Sequence, residues 1–448
     1  MISDTIVNIA TPRGYGAIGV IRISGENALD ILKKLIQKET HIEPRLAKHL
    51  FLKDKDNSFL GDAIVIYYKA PNSYTGEDVV EIQILSSPVL MERILELIIE
   101  YGARLSRPGE FTERAFLNGK IDLVRAESIN RIVYSQDLVE LKSSLNKFSG
   151  KLTEEIKKII EELNEIVLNI EASISFPDDV ELMSEVELFD KVKRNVLIIE
   201  KILEKHELSK PFVDGIKLTL FGKANVGKSS LFNIFMEEER VIVSEVPGTT
   251  RDIIKERIYI NSLPIDIIDT AGVIREIENE LDKIAQERSE KVLDTSDLII
   301  LMFDGSRELN EDDFYAIEKV KKKNFIPVIN KNDLPKAFEK EELEKIIGKD
   351  ILSISCLTKD GIDKLKREIT KIYQNRPELN EIFYINSREK NLFIEAKNFL
   401  NEILFNKPTI DEISFLLKDS IKKLKEIIGE EFNQDTLKEI FSKFCIGK

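Results

Sequence analysis

The spacing of apolar residues changes character along the chain, and each change marks a different kind of structure. From residue 1 to about 118, short apolar or alternating runs (TIVNIA, AIGVIRIS, DAIVIYY, VVEIQIL) predict strands, and ENALDILKKLI and VLMERILELIIEYG predict amphipathic helices. The mixture predicts an α+β domain. From about 121 the period lengthens: Leu152, Ile156, Ile159, Leu163, Ile166 and Ile170 fall at steps of three and four, one stripe of a long helix that Pro177 ends. Leu188, Val192, Val196, Ile199 and Leu203 repeat the stripe. Between about 211 and 375, strand-like IKLTLFG, PIDIIDT, DLIILMFDG, FIPVIN and DILSIS alternate with helical segments, which predicts a mostly parallel sheet with helices on both faces. After 376 the striped helices resume with Ile413, Leu417, Ile421, Leu424 and Ile428.

A helix with one apolar stripe must bury it against another element. Two helical sets flank the α/β segment, so the economical arrangement is one helical bundle into which the α/β domain is inserted. The expected organisation is 1–118 as the α+β domain, 119–210 and 376–448 as two parts of a helical domain, and 211–375 as an inserted doubly wound domain.

Composition narrows the class. The 448 residues are 33% charged and 42% hydrophobic, the balance of a soluble multidomain protein. No apolar run approaches the roughly 18 residues of a membrane span, and MISDTIVNIA lacks a basic start followed by an apolar stretch. A cytoplasmic protein with no membrane association is expected. Two cysteines, Cys356 and Cys445, and three histidines exclude a disulfide framework or a zinc set. A net charge of −14 argues against the chain as a whole coating nucleic acid. The lysines of LKDSIKKLKEIIG (417–429) fall on the outer side of an amphipathic pattern and read as a solvated face. The terminal FCIGK has the outline of a prenylation box, but Gly447 and Lys448 do not fit one.

The candidate chemistry lies in the α/β segment. GKANVGKSS (222–230) follows an apolar strand and opens a helix, the setting a phosphate loop needs. Its backbone N–H groups cradle phosphates, Lys228 supplies charge to the β and γ oxygens, and Ser229 offers a hydroxyl to Mg²⁺. IIDTAG (267–272) ends a strand in Asp269, placed for the Mg²⁺ shell, with the Gly272 N–H within reach of a γ-phosphate. NKND (330–333) also ends a strand. The Asp333 carboxylate can accept both N1–H and N2–H of guanine, whereas adenine would oppose it with a lone pair, a mismatch worth roughly 10⁴ in selectivity. These motifs resemble the translation-factor-like class of P-loop GTPases, with Ser355 and Cys356 in the loop behind the base. The nucleotide contacts expected are Asn225, Val226, Gly227, Lys228, Ser229, Ser230, Ser244, Thr249, Thr250, Asp269, Thr270, Ala271, Gly272, Asn330, Lys331, Asp333, Ser355 and Cys356.

The glutamine that follows DTAG in many small GTPases, where it orients the attacking water, is Val273 here. Thr250, in SEVPGTTRD (244–252), is placed to cap Mg²⁺. The residues before it, with Asn225 and Thr249, suit a monovalent cation beside the β–γ bridge, where K⁺ would stabilise developing charge. Asn225 equally suits a hydrogen bond to its own backbone.

Together with IRISG, NSYTGEDVVEIQ, RPGEFTERAFLNGKIDL and the terminal FCIGK, these motifs resemble the MnmE (TrmE) family of potassium-stimulated GTPases of tRNA wobble-uridine modification, from about residue 5 to the last. The resemblance implies an N-terminal domain that dimerises and binds folate, a helical domain, and an inserted GTPase domain. It implies K⁺ on Asn225, Ser244, Val246 and Thr249, and Mg²⁺ on Ser229 and Thr250. A one-carbon tetrahydrofolate (5-formyl or 5,10-methylene) would meet Arg22, Glu81, Lys120 and Lys448, the cations suiting its glutamate carboxylates and Glu81 its pterin donors. Cys445 would project toward that pocket with a chemical or a packing role. The implied partners are GTP and GDP, a second copy of the chain, an FAD-containing protein of the MnmG type in a heterotetramer or larger complex, and tRNA, modified at C5 of uridine 34 with a carboxymethylaminomethyl or aminomethyl-type group.

Two departures stand out. The family's Gly-His-Gly-Gly is replaced in EIQILSSPVL (81–90), where Ser86 and Ser87 keep some room but no histidine remains. The switch glutamate aligns with Asp282, one methylene shorter, and Glu280 is an alternative. A second functional class, a GTP-dependent ribosome-assembly or RNA-binding switch without modification chemistry, would call for an RNA-binding module such as a KH domain, and no such module is recognisable in the chain.

Overall fold

Alternation in the first part of the chain produces a sheet with one buried face. The computed structural model describes residues 4–238, 255–261, 263–269, 291–373, 381–444 and 447. Its chain contacts divide it into two compact units, one of residues 1–135, 144–203 and 385–448, the other of 136–143 and 204–384. No helix among the described residues is long and apolar enough to cross a membrane.

The first unit opens with β1 (Ile6–Ile9), β2 (Gly16–Ser24), α1 (Ala28–Leu35), β3 (Lys48–Lys53), β4 (Phe59–Tyr68), β5 (Val79–Ser86), α2 (Pro88–Glu100) and β6 (Arg104–Leu105). The sheet order is β3-β4-β5-β2-β1-β6, antiparallel except for β1 with β6. Ile31 and Leu32 of α1 and Ile94 and Ile98 of α2 share one core with Val7, Ile21, Ile23 and Ile82 of the strands. Strand β3 was not among the expected strands: KHLFLK alternates, but only Leu50 and Leu52 face the core, and charged residues bracket it.

Next come α3 (Glu110–Leu117), α4 (Leu123–Tyr134), α5 (Leu138–Phe148), α6 (Lys151–Ser175) and α7 (Glu185–Asp214). Every residue of the first predicted stripe is buried in α6. In α7 the last step of the stripe falls on Ile202, and Leu203 is half-buried. Helix α7 continues through Pro211 to Asp214. Pro211 forfeits one helical N–H, and the adjacent Phe212 and Val213 are buried in the core of the second unit.

The second unit contains β7 (Ile216–Gly222), α8 (Lys228–Glu238), β8 (Lys255–Ile260), β9 (Leu263–Asp269), β10 (Leu298–Asp304), α9 (Glu311–Val320), β11 (Phe325–Asn330), α10 (Lys340–Ile347), β12 (Leu352–Ser353) and α11 (Ile362–Lys371). The order is β12-β11-β10-β7-β9-β8, parallel except for β8. Alternate residues of β10 join different cores: Ile300 and Met302 one, Ile299, Leu301 and Phe303 the other. That division is the doubly wound arrangement the sequence predicts, a sheet apolar on both faces.

The first unit resumes with α12 (Ser387–Asn406), α13 (Ile410–Ile428) and α14 (Gln434–Ser442). The stripe from Ile413 to Ile428 is buried in α13. Beneath it lies a cluster of charges that hydrophobic spacing does not announce. Lys147 Nζ donates to both oxygens of Glu389, at 2.9 and 2.7 Å, and neither residue is more than 3% exposed. Arg388 donates to both oxygens of Glu127, at 3.2 and 2.9 Å, and to the carbonyls of Glu426 and Ile427 at the end of α13. Burial pushes the Glu389 carboxyl up, but Lys147 and Arg388 outweigh it and hold the group ionised. Burial, and then the Glu389 charge, push Glu127 upward. Removing one partner of such a pair strands the other charge, so Glu389→Ala is expected to cost about 3–5 kcal/mol. Thermal unfolding should show this loss, and Lys147→Met combined with Glu389→Leu should restore most of it.

Candidate functional site

Strand β7 ends where backbone crowding excludes side chains. Gly222 has φ +146°, and a Cβ there would lie 2.4 Å from the Met302 carbonyl oxygen. Asn225 is exposed and left-handed, with φ +65°. Gly227 has φ +102°, and a Cβ would come within 2.0 Å of Asn330 Nδ2. The loop between them turns directly into α8 at Lys228, and the N-terminus of a helix is a favourable setting for an anion. Lys228 is buried, and its Nζ donates to the carbonyls of Gly222 and Lys223 at 2.9 and 2.8 Å. These bonds fold the ammonium back over the loop, where phosphates fit. Ser229 and Ser230 are exposed at the start of α8.

Sheet order places this loop at a switch point. From β7 the chain feeds β9 on one side and β10 on the other, and ligands of open α/β sheets bind in the crevice this leaves at the carboxyl ends of the strands. The loops after β11 and β12 reach the same edge. Asn330, 2% exposed, donates from Nδ2 to the Val226 carbonyl at 2.8 Å and accepts the Cys356 N–H on Oδ1 at 3.0 Å. One carboxamide thus joins the phosphate loop to the loop that backs the base. Lys331, with φ +66°, is fixed by a 2.6 Å bond from Nζ to Asp304 at the end of β10. Asp333 is exposed, and Ser355 Oγ donates to its Oδ1 at 2.5 Å while accepting the Thr358 N–H at 3.1 Å. The carboxylate is held from one side and open on the other, the geometry for accepting two N–H groups of a base edge. The Cys356 thiol is pushed up to about 11, by burial first and by the Asp333 charge, against a hydrogen bond with Asn330. It is a neutral packing group at physiological pH, not a nucleophile.

Asp269 closes β9, beside β7. Its side chain, and Ser244, Val246, Thr249, Thr250, Thr270, Ala271, Gly272, Glu280, Asp282, Cys445 and Lys448, lie outside the described residues.

A second cluster lies in the α+β part. Arg22 and Glu81 are register partners on β2 and β5, joined by bonds of 3.0 and 2.8 Å. Lys120 Nζ donates to the Pro71 carbonyl at 2.8 Å. The chain end returns to this sheet: a Cβ on Gly447, at φ +93°, would lie 2.2 Å from the Ile9 carbonyl oxygen.

With this geometry in place, likeness to known proteins decides the family. Residues 5–120 match the family described as the GTP-binding protein TrmE N-terminus, and residues 123–445 match the MnmE helical domain. A protein of Aquifex aeolicus (strain VF5), called tRNA modification GTPase MnmE, is 39% identical over 99% of this chain and 100% of its own. A Pseudothermotoga lettingae protein of the same name is 38% identical over the same shares, and one of Alkaliphilus metalliredigens is 38% identical over the whole of both. The chain belongs to the MnmE family of tRNA modification GTPases.

For this family member, sequence motifs did not point to Asp304, Tyr74 or Phe111. Asp304 orients Lys331, and the two rings flank Arg22, at 5.3 Å for Tyr74 and 5.7 Å for Phe111. A strand-ending acid after LIILMF was a usable signal for Asp304, and Tyr74 and Phe111 lie within NSYTGEDVVEIQ and RPGEFTERAFLNGKIDL, although neither ring was singled out there. Converting Asp333 to Asn exchanges an acceptor for a donor at the base edge. The expected result is a fall in GTP affinity of roughly 10²-fold or more and a gain for xanthosine triphosphate, read by competition against a fluorescent guanine nucleotide.

Proposed function

We propose that this chain is a potassium-stimulated GTP hydrolase that drives modification of C5 of wobble uridine 34 in tRNA. It works as a homodimer with an FAD-containing partner of the MnmG type, in the cytoplasm, using a one-carbon unit from tetrahydrofolate. The observation that carries the nucleotide reading is the Asn330 bridge, which sets phosphate loop and guanine loop at a fixed spacing. The family supplies tRNA modification as the purpose of hydrolysis. On this reading residues 1–118 dimerise and hold folate, 119–210 and 376–448 form the helical domain, and 211–375 turn over GTP.

On the family resemblance, Ser229 and Thr250 would hold Mg²⁺, and Asn225, Ser244, Val246 and Thr249 would hold K⁺. In support, Asn225 is exposed, and its left-handed backbone lies at the mouth of the phosphate loop. Potassium would supply the positive charge that other GTPases take from an arginine. Asp282 is the residue assigned to orient water, with Glu280 as its substitute.

Dimerisation draws support from the sheet face that α1 and α2 leave open. Ile18, Phe51, Ile64 and Leu85 are 63%, 50%, 45% and 66% exposed. An apolar surface of this kind on a folded domain is a contact surface. A second copy covers it on this reading.

Turnover of GTP should be several-fold faster in K⁺ than in Na⁺, and Asn225→Ala should abolish the difference; equal rates in both salts for the wild type would remove the cation from the mechanism. Mass spectrometry of tRNA from cells lacking the protein should show unmodified uridine 34. Normal modification there would favour the GTP-dependent switch without chemistry of its own.

A further inference from the structure

The acids of this chain are unevenly placed. From 159 to 190 there are ten Asp and Glu residues and no Lys, Arg or His. The stretch covers the second half of α6, the turn after it and the start of α7, all within the first unit. Part of this charge has a local purpose. Glu165 meets Lys191 at 3.2 Å, Glu171 meets Lys418 of α13, and Asn195 donates to Glu162 at 3.0 Å. Glu185 and Glu187 stand in the first turn of α7, where a helix dipole favours acids. Asp178, Asp179 and Glu181 have no such reason to be there. They are exposed, and their carboxylates have no hydrogen-bond or ion-pair partner among the described residues. Helix α6, 25 residues long, carries no basic residue in its last turn, so its negative end adds to the same field.

Apolar side chains project from this acidic surface. The stripe of α6 continues from Ile170 to Ile174, but Ile174 is 53% exposed, so the stripe outruns the helices that cover it. Leu168 lies two residues from Ile166 of the stripe, on the opposite side of the helix, and is 64% exposed. Val186 stands in the same relation to Leu188 of α7 and is 73% exposed. Phe176 and Leu182, in the turn itself, are 60% and 43% exposed.

The turn is fixed by its own hydrogen bonds. The Asp179 and Val180 N–H groups return to the Phe176 carbonyl at 3.1 and 3.0 Å. Asn169 of α6 accepts the Met183 N–H at 2.8 Å and donates to the Glu181 carbonyl at 3.3 Å. Phe176, Leu182 and the acids between them are thereby held against the end of α6 as one surface.

Exposed apolar groups rimmed by charge mark a docking face. The sign of the charge selects what covers it. A second copy would set acids against acids, and an RNA backbone would set phosphates against them, so both are repelled. A protein face with Lys or Arg around apolar side chains matches both features.

We propose that the α6–α7 turn, with the helix ends beside it, docks a partner protein through a basic, apolar face, with Phe176 and Leu182 as anchors and the acids of 178–187 as the rim. The proposal rests on the reading that the chain works with an FAD-containing partner, and it assigns that partner to this surface.

The test titrates the full chain with the purified FAD-containing partner by calorimetry at low and at physiological salt. Phe176→Ser combined with Leu182→Ser should weaken the complex by about 10-fold or more, because a few buried anchors carry most of the energy of an interface. Asp178→Lys combined with Glu181→Lys should weaken it by about the same factor and flatten its dependence on salt. Both variants should turn over GTP as the wild type does, since neither touches the nucleotide site. Thermal unfolding reports whether each folds, and because the two change different kinds of residue, either one alone decides the test. Unchanged partner binding in the folded variants would overturn the proposal. So would a loss seen instead in self-association of the chain, which would make a second copy the occupant, or in tRNA binding by the chain alone. A wild type that does not bind the FAD-containing partner would overturn that reading of the function, and this assignment with it.

Discussion

One buried carboxamide sets the geometry of the nucleotide site. Asn330 uses its donor on the phosphate loop and its acceptor on the base loop, so the two segments cannot move independently without leaving a buried polar atom unpaired. Leaving such an atom unsatisfied costs about 1–3 kcal/mol. Gly227 makes the arrangement possible, because any side chain there would occupy the place of the Asn330 amide. The spacing between the loop after β7 and the loop after β12 is thus built into the protein, and Lys331 and Ser355 add bonds to Asp304 and Asp333 around it.

Paired charges play a comparable part in the other unit. Lys147 with Glu389, and Arg388 with Glu127, sit among helices whose stripes would otherwise specify only that something apolar packs there. Apolar stripes tolerate slippage, whereas a paired charge with two hydrogen bonds admits one register. Arg388 adds direction by donating to the carbonyls that end α13, where the helix dipole is negative. In the sheet domain, Arg114 does comparable work by holding Glu77 and Asp4 around one guanidinium.

Much of the fold was legible because it rests on periodicity. The stripes of α6 and α13 were read residue by residue, and the alternation of strand and helix after 211 gave the doubly wound sheet. Strand β3 escaped because two inward leucines among lysines and a histidine make too weak an alternation. The phosphate loop and NKND were visible as motifs, since their chemistry depends on residues adjacent in sequence. The Asn330–Val226 contact spans 104 positions, and the neutralisation of Arg22 by Glu81 spans 59, so neither appears in any local pattern.

By itself the sequence determined most of the helices and strands, the doubly wound class of the inserted domain, and the family to which the chain belongs. Those properties follow from spacing along the backbone and from the identity of neighbouring residues. Only tertiary structure decided which charges are cancelled and which remain available, because electrostatic character depends on what folding brings within hydrogen-bond distance. Arg22 and Lys120 are both cations in the sequence; in the fold one is half of a neutral pair and the other is free to attract an anion.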